Sequence, residues 1–391
     1  MSDHTDVYLD HNATTPIAPE VADAMWPYLT EHFGNPSSAS PQGRRARAAV
    51  DTAREQVAQL IGARADEVVF TSGGTESNNL AIRGSAALAT THVAVTSAVE
   101  HPATVEPLAH LTTQHGWVVD ELPVDAECRV RLDQFPSGRV GLGTLILAHN
   151  ETGAIQPVAE FAERVRSAGG VVHADAAQSV GKILVTVDDL CVDLLSIAGH
   201  KLYGPKGVGA LYVRRGTKLT PVIRGGGQEG GIRPGTEDVA SIVGLGTAAQ
   251  LAADLLEHES ARQAELRDAL WDRLARALPG LTRVSPVDNC LPNTLMVTVP
   301  GHLGADVLSG LHDVSASTGS ACHAGVHSPS ATLLAMGIDH DTALGALRLT
   351  LGRSTTQDDI VRAASAIVDA INTDGSVSPG RASASGRQSP Q

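Results

Sequence analysis

VVHADAAQSVGKILVTVDDLCVDLLSIAGHKLYGPKGVGALYV, residues 171–213, holds three short apolar runs divided by turn residues. Val171–Ala174, Leu194–Ile197 and Gly209–Val213 have the length and the Val/Leu/Ile content of strands buried on both faces. Asp175 stands at the C-terminal end of the first run, and Gly199-His200-Lys201 ends the second. Gly204-Pro205 then turns the chain back into the third. Ligands of open α/β sheets gather outside the carboxyl ends of the strands, so Asp175 and Lys201 belong to one sheet edge. A carboxylate there can hold a protonated ring nitrogen, and it can equally cap a helix or bind a ribose. A lysine lodged among apolar neighbours has its pKa lowered enough to form a Schiff base. A lone lysine also reads as a solvated surface amine.

Outward from this stretch the same alternation continues. Strand-like runs lie at Val68–Thr71, Val93–Thr96, Val118–Leu122 and Leu145–Ala148. Helical patterns lie between several of them, at Ser40–Ile61, Thr75–Ala89, Thr104–His115 and Val158–Ser167. Strand–helix alternation on this scale predicts an α/β fold with a mainly parallel central sheet sandwiched by helices. A Gly-rich stretch, Gly225–Gly235, precedes a long helical segment from about Val239 to Leu278. The 282–370 region reads as mixed strands and helices, a smaller α+β domain. The expected division is 15–255 for a large cofactor-binding domain and 1–14 with 256–372 for the small one. Residues 373–391, Ser/Gly/Pro-rich and nearly free of apolar side chains, read as a disordered tail.

The run EVVFTSGGTESNNLAI (67–82) ends a strand in Ser72-Gly73-Gly74, with a helix expected from Thr75. Paired glycines admit an anion close to backbone amides, and the helix start adds its dipole. The run serves equally as a tight strand-to-helix turn. Taken with Asp175 and Lys201 on one edge, however, a phosphate turn describes a pyridoxal phosphate site.

Composition narrows the field. Acidic side chains number 43 against 29 basic ones, a formal charge of −14 that repels a nucleic-acid backbone, so no direct nucleic-acid binding is expected. The four cysteines, Cys128, Cys191, Cys290 and Cys322, lie far apart with no CxxC, which fits neither a disulfide scaffold nor a structural zinc site. The opening MSDHTDVYLDHN is too polar for a signal peptide, and no stretch reads as a membrane span, so a cytoplasmic location is expected.

The series VYLDHNATTP, TSGGTESNN, VEHP, HNETG, HADAAQSVG, GHKLYGPKGVGALYV, RPGTEDV, STGSACHAG and LRLTLGRST resembles the class V aminotransferase-fold enzymes. Within them it is similar to the NifS/IscS-type cysteine desulfurases and the related selenocysteine lyases. The resemblance runs from about Val7 to about Ile371 and implies a pyridoxal phosphate enzyme of fold type I. It implies Lys201 as the lysine that bonds the cofactor, Asp175 as the partner of the pyridine nitrogen, Gln178 at the ring hydroxyl and His101 stacked on the ring. Gly74, Thr75 and His200 would hold the phosphate. Thr236 would reach the phosphate of the other subunit in a homodimer. Asn150 and Arg348 would hold the substrate carboxylate, a task for which the planar guanidinium is suited.

The implied reaction converts L-cysteine to L-alanine. Lys201 removes the Cα proton, and the Cys322 thiolate takes the sulfur as a persulfide for a sulfur-acceptor protein. That acceptor belongs to an iron–sulfur scaffold, a tRNA-thiolating enzyme or a DNA-modifying pathway. Cys322 sits among Gly, Ser, Ala and His in SASTGSACHAGVHSP (315–329), whereas Cys128, Cys191 and Cys290 read as packing or surface residues. Cys322, His323 and His327 form only a loose triad with no fourth ligand, so no metal is expected. An aminotransferase or β-eliminating lyase would need Lys201 and Asp175 but no loop thiol. A non-catalytic partner protein would not need the full set.

Three positions depart from the family pattern. Ala198 stands where many desulfurases carry a phosphate-binding Ser, a substitution shared with selenocysteine lyases. Pro102 follows His101, where desulfurases carry Lys and selenocysteine lyases Asp. His149 replaces the first of two Asn residues, with its side chain expected to face the wall.

Overall fold

The protein is described by a computed structural model covering residues 6–319 and 328–374; Cys322 and positions 375–391 lie outside the described residues. Strands in chain order are β1 (Val7–Tyr8), β2 (Val68–Thr71), β3 (Val93–Ser97), β4 (Val118–Leu122), β5 (Leu142–Ile146) and β6 (Val171–Asp175). They continue with β7 (Leu194–Ala198), β8 (Gly209–Val213), β9 (Thr282–Arg283), β10 (Thr294–Thr298), β11 (Val314–Ser315) and β12 (Ala346–Thr350). The helices are α1 (Pro19–Thr30), α2 (Pro41–Leu60), α3 (Gly74–Ala86), α4 (Pro102–His115) and α5 (Val158–Ser167). After them come α6 (Val239–Ala277), α7 (Gly304–Ser309), α8 (Ala331–Ala335), α9 (His340–Leu344) and α10 (Gln357–Asp374).

The central sheet has seven strands in the order β2-β8-β7-β6-β5-β3-β4, and β8 alone runs against the others. Apart from the edge strand β4, which exposes Val118 and Glu121, its strands are buried on both faces. Leu194 and Leu211 pack with Leu80 and Ala81 of α3, while their neighbours Leu195 and Ala210 pack with Val50 and Val57 of α2 and Leu245 of α6. Phe161 and Val165 of α5 join that second layer, and Leu108 and Leu111 of α4 lie with Ile82 of α3 on the first. Helices therefore cover both faces.

A smaller antiparallel sheet, β12-β10-β9, packs its Leu295, Val297, Leu347 and Leu349 against Leu266, Leu270 and Leu274 of α6 and Ile360 and Ile367 of α10. The N-terminal strand β1 lies parallel to β11, and Asp10 then bridges Thr350.

Five expectations need correction. The strand expected at Leu145–Ala148 is Leu142–Ile146, because the apolar run is continuous and offers no alternation to set its ends. The helix expected from Thr75 begins at Gly74 and ends at Ala86, and α4 begins at Pro102, where its missing N–H costs nothing. Helix α10 continues through Asp374, two residues into the stretch expected as tail. Helix α6, at 39 residues and mean hydropathy 1.5 in its most apolar window, is long and apolar enough to cross a membrane, although no such stretch was expected. Its apolar residues instead face α2 and the two cores, with Leu245, Ala248, Ala249 and Leu270 at most 1% exposed.

Candidate active site

Because β2, β3, β5, β6 and β7 all point the same way, the turns after them meet at one edge of the sheet. Gly74, Thr75, His101, Asn150, Asp175, Gln178, His200, Lys201 and Arg348, drawn from those turns and from β12, line one cavity of about 320 Å³ there. Asn12, Ala13, Ala103, Ile146, Ala177 and Ala198 complete its wall.

The phosphate-turn candidate depends on two glycines. Gly73 has φ +146°, a conformation that side chains rarely adopt. Gly209 on β8 comes so near that a Cβ there would lie 2.7 Å from the Gly73 Cα. Helix α3 starts immediately afterwards, and its first-turn N–H groups have no partner within the helix. Glu76 steadies this turn, accepting from Ser72 N at 2.7 Å and from Arg233 Nε at 2.8 Å.

Asp175, 5% exposed, ends β6 with both carboxylate oxygens engaged. Oδ2 accepts from Asn78 Nδ2 at 2.7 Å, and Oδ1 from Ala177 N at 3.0 Å. Across the cavity His101 caps α4: its Nδ1 accepts from Ala103 N at 3.1 Å, which leaves the proton on Nε2. Desolvation of the ring lowers the His101 pKa, opposed by the Asp175 charge and aided by that of Lys201. Desolvation of its carboxyl raises the pKa of the neighbouring Glu100 to about 8.

Lys201 reaches the backbone of the N-terminal segment, donating from Nζ to Asn12 O at 2.6 Å and Ala13 O at 2.8 Å. Burial foremost, then the Arg348 charge, lowers its pKa to about 8, against the opposing pull of Asp10 and Asp175. Adjacent His200 bonds Thr14 Oγ1 through Nδ1 at 3.1 Å, and burial together with the Lys201 charge lowers its pKa to about 4.

Arg348, 6% exposed on β12, donates from Nη2 to Asp10 Oδ1 at 2.7 Å and from Nη1 to Asn150 O at 3.2 Å. Its Nε is buried with no partner among the described residues. His149, 2% exposed, faces the wall and does not line the cavity: its Nε2 bonds Thr332 Oγ1 of α8 at 3.2 Å. Burial lowers its pKa to about 3.

The sequence reading missed the N-terminal contribution. Asn12 Nδ2 donates to Asn150 O at 3.1 Å and to Thr294 Oγ1 at 2.9 Å, and the Asn12 backbone carbonyl receives Lys201. It missed Asn78 and Lys182 as well. The signal for Asn12 lies in the VYLDHNATTP motif, which by itself assigns that residue no role.

Comparison with known proteins agrees with this geometry. Residues 7–362 match the aminotransferase class-V family. The chain belongs to that family. A protein of Dictyoglomus turgidum named cysteine desulfurase IscS is 45% identical over 363 residues, spanning 91% of this chain and 92% of its own. A solved structure of a NifS-like protein superposes with a TM-score of 0.88 at 33% identity, covering 94% of this chain and all of its own. Another, of SspA in complex with cysteine, gives 0.78 at 35% identity over 88% of this chain and 98% of that one.

Class-V aminotransferases and their desulfurase members are pyridoxal phosphate enzymes, and the cavity fits that group. The α3 N-terminus at Gly74 offers first-turn amides with no partner in the helix for a phosphate, Asp175 a fixed carboxylate for a ring nitrogen, and Lys201 an amine of lowered basicity. A side chain at Gly74 would press on Ala198, its Cβ 3.3 Å from that of the alanine. Ala198 contributes no hydroxyl to this end.

Thr236 is exposed and does not line the cavity of its own chain. Its loop is tied to the phosphate turn through Arg233 and Glu76 and to β2 through Glu229, which takes a bidentate pair from Arg54 at 2.7 Å and accepts from Phe70 N at 2.9 Å. Beside it Glu237 is 6% exposed, and neither carboxylate oxygen has a hydrogen bond among the described residues. Burial pushes the Cys128 thiol up to about 12 and the Cys290 thiol up to about 11, so neither supplies a thiolate near neutral pH. Cys191 bonds Asp188 O at 3.3 Å, away from the cavity.

Proposed function

We propose that this enzyme is a pyridoxal phosphate-dependent cysteine desulfurase that converts L-cysteine to L-alanine and passes the sulfur through Cys322 to an acceptor protein. The observation that carries the reading is the convergence of three groups on one cavity. These are the Lys201 amine, the Asp175 carboxylate and an Arg348 guanidinium with a buried, unspent Nε. The names of the relatives and the solved complex of SspA with cysteine support the same substrate.

When bound, the cofactor supplies an electron sink for the bonds around the amino acid's Cα. Asp175, kept in place by Asn78 and the Ala177 amide, holds a positive charge on the ring nitrogen. Arg348 and Asn150 orient the substrate carboxylate, and the Arg348 fork is already aligned by Asp10. Lys201, with a pKa near 8, takes the Cα proton once it is free of the cofactor. Cys322 closes the cycle: its thiolate takes the substrate sulfur, an S–S bond forms as the C–S bond breaks, and protons complete alanine.

A second reading, selenocysteine lyase, rests on Ala198, which lines the phosphate end without a hydroxyl. The acceptor is assigned to a protein of iron–sulfur assembly or of tRNA or DNA thiolation. The working unit is a homodimer in which Thr236 serves the partner's phosphate. The exposed Thr236 and the outward-facing Trp26, Leu29 and Phe33 at 64, 61 and 84% exposure support a second copy. A cytoplasmic location and the domain division of 15–255 against 1–14 with 256–372 complete the proposal. The division is supported by the two apolar clusters, which split α6 between Ala252 and Leu266.

The test is turnover with L-cysteine and L-selenocysteine in parallel, scoring alanine and sulfide or selenide. Alanine from cysteine in wild type, with Cys322→Ala retaining the yellow cofactor but releasing no sulfide, is expected. Unchanged turnover in Cys322→Ala would remove that residue from the reaction, and a large preference for selenocysteine would move the enzyme to the second reading.

A further inference from the structure

One partly buried amine next to the cavity has no part in the chemistry above. Lys182 follows β6 by a short turn, outside the cavity lining, and donates from Nζ to Gln178 Oε1 at 2.7 Å and to Asn12 Oδ1 at 2.9 Å. Among the described residues these two amide oxygens are its bonding partners, with no carboxylate in ion-pair reach. A partly buried amine with no counter-charge gives up hydration without an ion pair in return, so packing alone is a poor reason for a lysine here.

The orientation of both amides follows from groups that can only accept. Gln178 Nε2 lies 2.9 Å from the backbone carbonyl of Asn12, so that end is nitrogen and the end facing Lys182 is oxygen. Asn12 Oδ1 receives Lys182 and also Asn293 Nδ2 at 3.0 Å, which turns Asn12 Nδ2 to Asn150 O and Thr294 Oγ1. The Asn12 carbonyl that receives Gln178 is the same one that receives Lys201 at 2.6 Å. Two lysines thus hold the two oxygens of one residue, and Gln178 links them.

We propose that Lys182 is a positioning residue of this active site: it holds the amides of Gln178 and Asn12 so that Gln178 keeps an N–H for the cofactor and the Asn12 carbonyl stays aimed at Lys201. Gln178 Nε2 spends one N–H on Asn12, and its second is free for an oxygen in the cavity that Gln178 lines. Removing Lys182 leaves Gln178 Oε1 buried without a donor, a loss relieved only by turning the amide. The inference rests on the pyridoxal phosphate reading of the site.

The experiment is a double-mutant cycle on purified holoenzyme, with Lys182→Met, Gln178→Ala and both together, reading kcat, KM and the visible absorption band of the bound cofactor. If Lys182 acts through Gln178, the double variant loses no more than the worse single one, a coupling of about fivefold or more in kcat. The band of Lys182→Met should shift toward that of Gln178→Ala, and KM should move less than kcat. Should Lys182→Met fail to fold, Lys182→Gln replaces it in the cycle, and its retained donor should recover part of the wild-type spectrum. Additive losses, or a band in the Lys182 variant identical to wild type, overturn the proposal. A wild-type protein that binds no cofactor would instead refute the underlying reading, so the two failures are distinct.

Discussion

The two ends of the cavity are built to different degrees by a single chain. At the ring end, Asp175 has both oxygens bonded, Gln178 is gripped on both sides of its amide, and His101 is fixed by a helix cap. At the phosphate end there are bare amides, a methyl group at Ala198, and Thr236 on the outside of its own subunit. The ring end is preorganised by side chains already held in place, Asp175 and Gln178 buried among them, the condition under which fixed charges act most strongly. The phosphate end relies on backbone, on the Thr75 and His200 side chains and, in the proposed dimer, on a second copy. Chemistry should therefore be sensitive to substitutions at the first end, and cofactor retention to those at the second.

The largest effect is expected from Asp175→Asn, which keeps the side-chain shape but removes the charge. Activity per bound cofactor should fall by about a hundredfold or more, measured as alanine formed against cofactor absorbance. A loss below tenfold would mean that the ring end is less decisive than its geometry. Thr236→Ala should raise the dissociation rate of the cofactor about tenfold, the worth of one charged hydrogen bond, while turnover per bound cofactor holds. Equal loss in both quantities would break the division between the two ends.

A smaller effect is set by pH. The Lys201 amine has a pKa lowered to about 8, so its neutral, reactive fraction grows as pH rises through that value. Covalent capture of added cofactor by the apoprotein should be about fivefold faster at pH 8 than at pH 7, then level off, followed by borohydride-reducible absorbance. A rate still rising steeply above pH 9 would show an amine of ordinary basicity. The smallest effect, a gain, belongs to Ala198→Ser. It restores a hydroxyl at the phosphate end and should slow cofactor release by about threefold. No change would indicate that the hydroxyl cannot reach.

Much of this was legible in the residues themselves. Strand ends marked by Asp175 and by Gly199-His200-Lys201 placed the cavity on the correct edge, because ends of parallel strands necessarily gather. Helix α1 escaped notice because Pro27 lies inside it and Trp26 and Leu29 face outward, which masks the Val21, Met25 and Tyr28 stripe that packs on the core. The Asn12–Lys182–Asn293 group was invisible for another reason. Its members come from three segments far apart in the chain, and polar side chains that meet only through folding carry no periodic signal. His149 illustrates a middle case: its odd identity was visible, but its bond to Thr332 belongs to tertiary structure.

The N-terminal segment that brings Asn12 to Lys201 also bears on the order of assembly. Asp10 bridges Thr350 and pairs with Arg348, and Asn12 bonds Asn293 and Thr294, so this early segment is held by some of the most sequence-distant contacts in the fold. Contacts of such separation close late, since the chain entropy of the intervening loop is lost before they contribute. A growing polypeptide could complete the seven-stranded sheet, Asp175 and Lys201 included, and still lack the wall against which the lysine rests. Arg348 of β12 lines the same cavity, so the cavity has its full lining only once the chain has been made through β12.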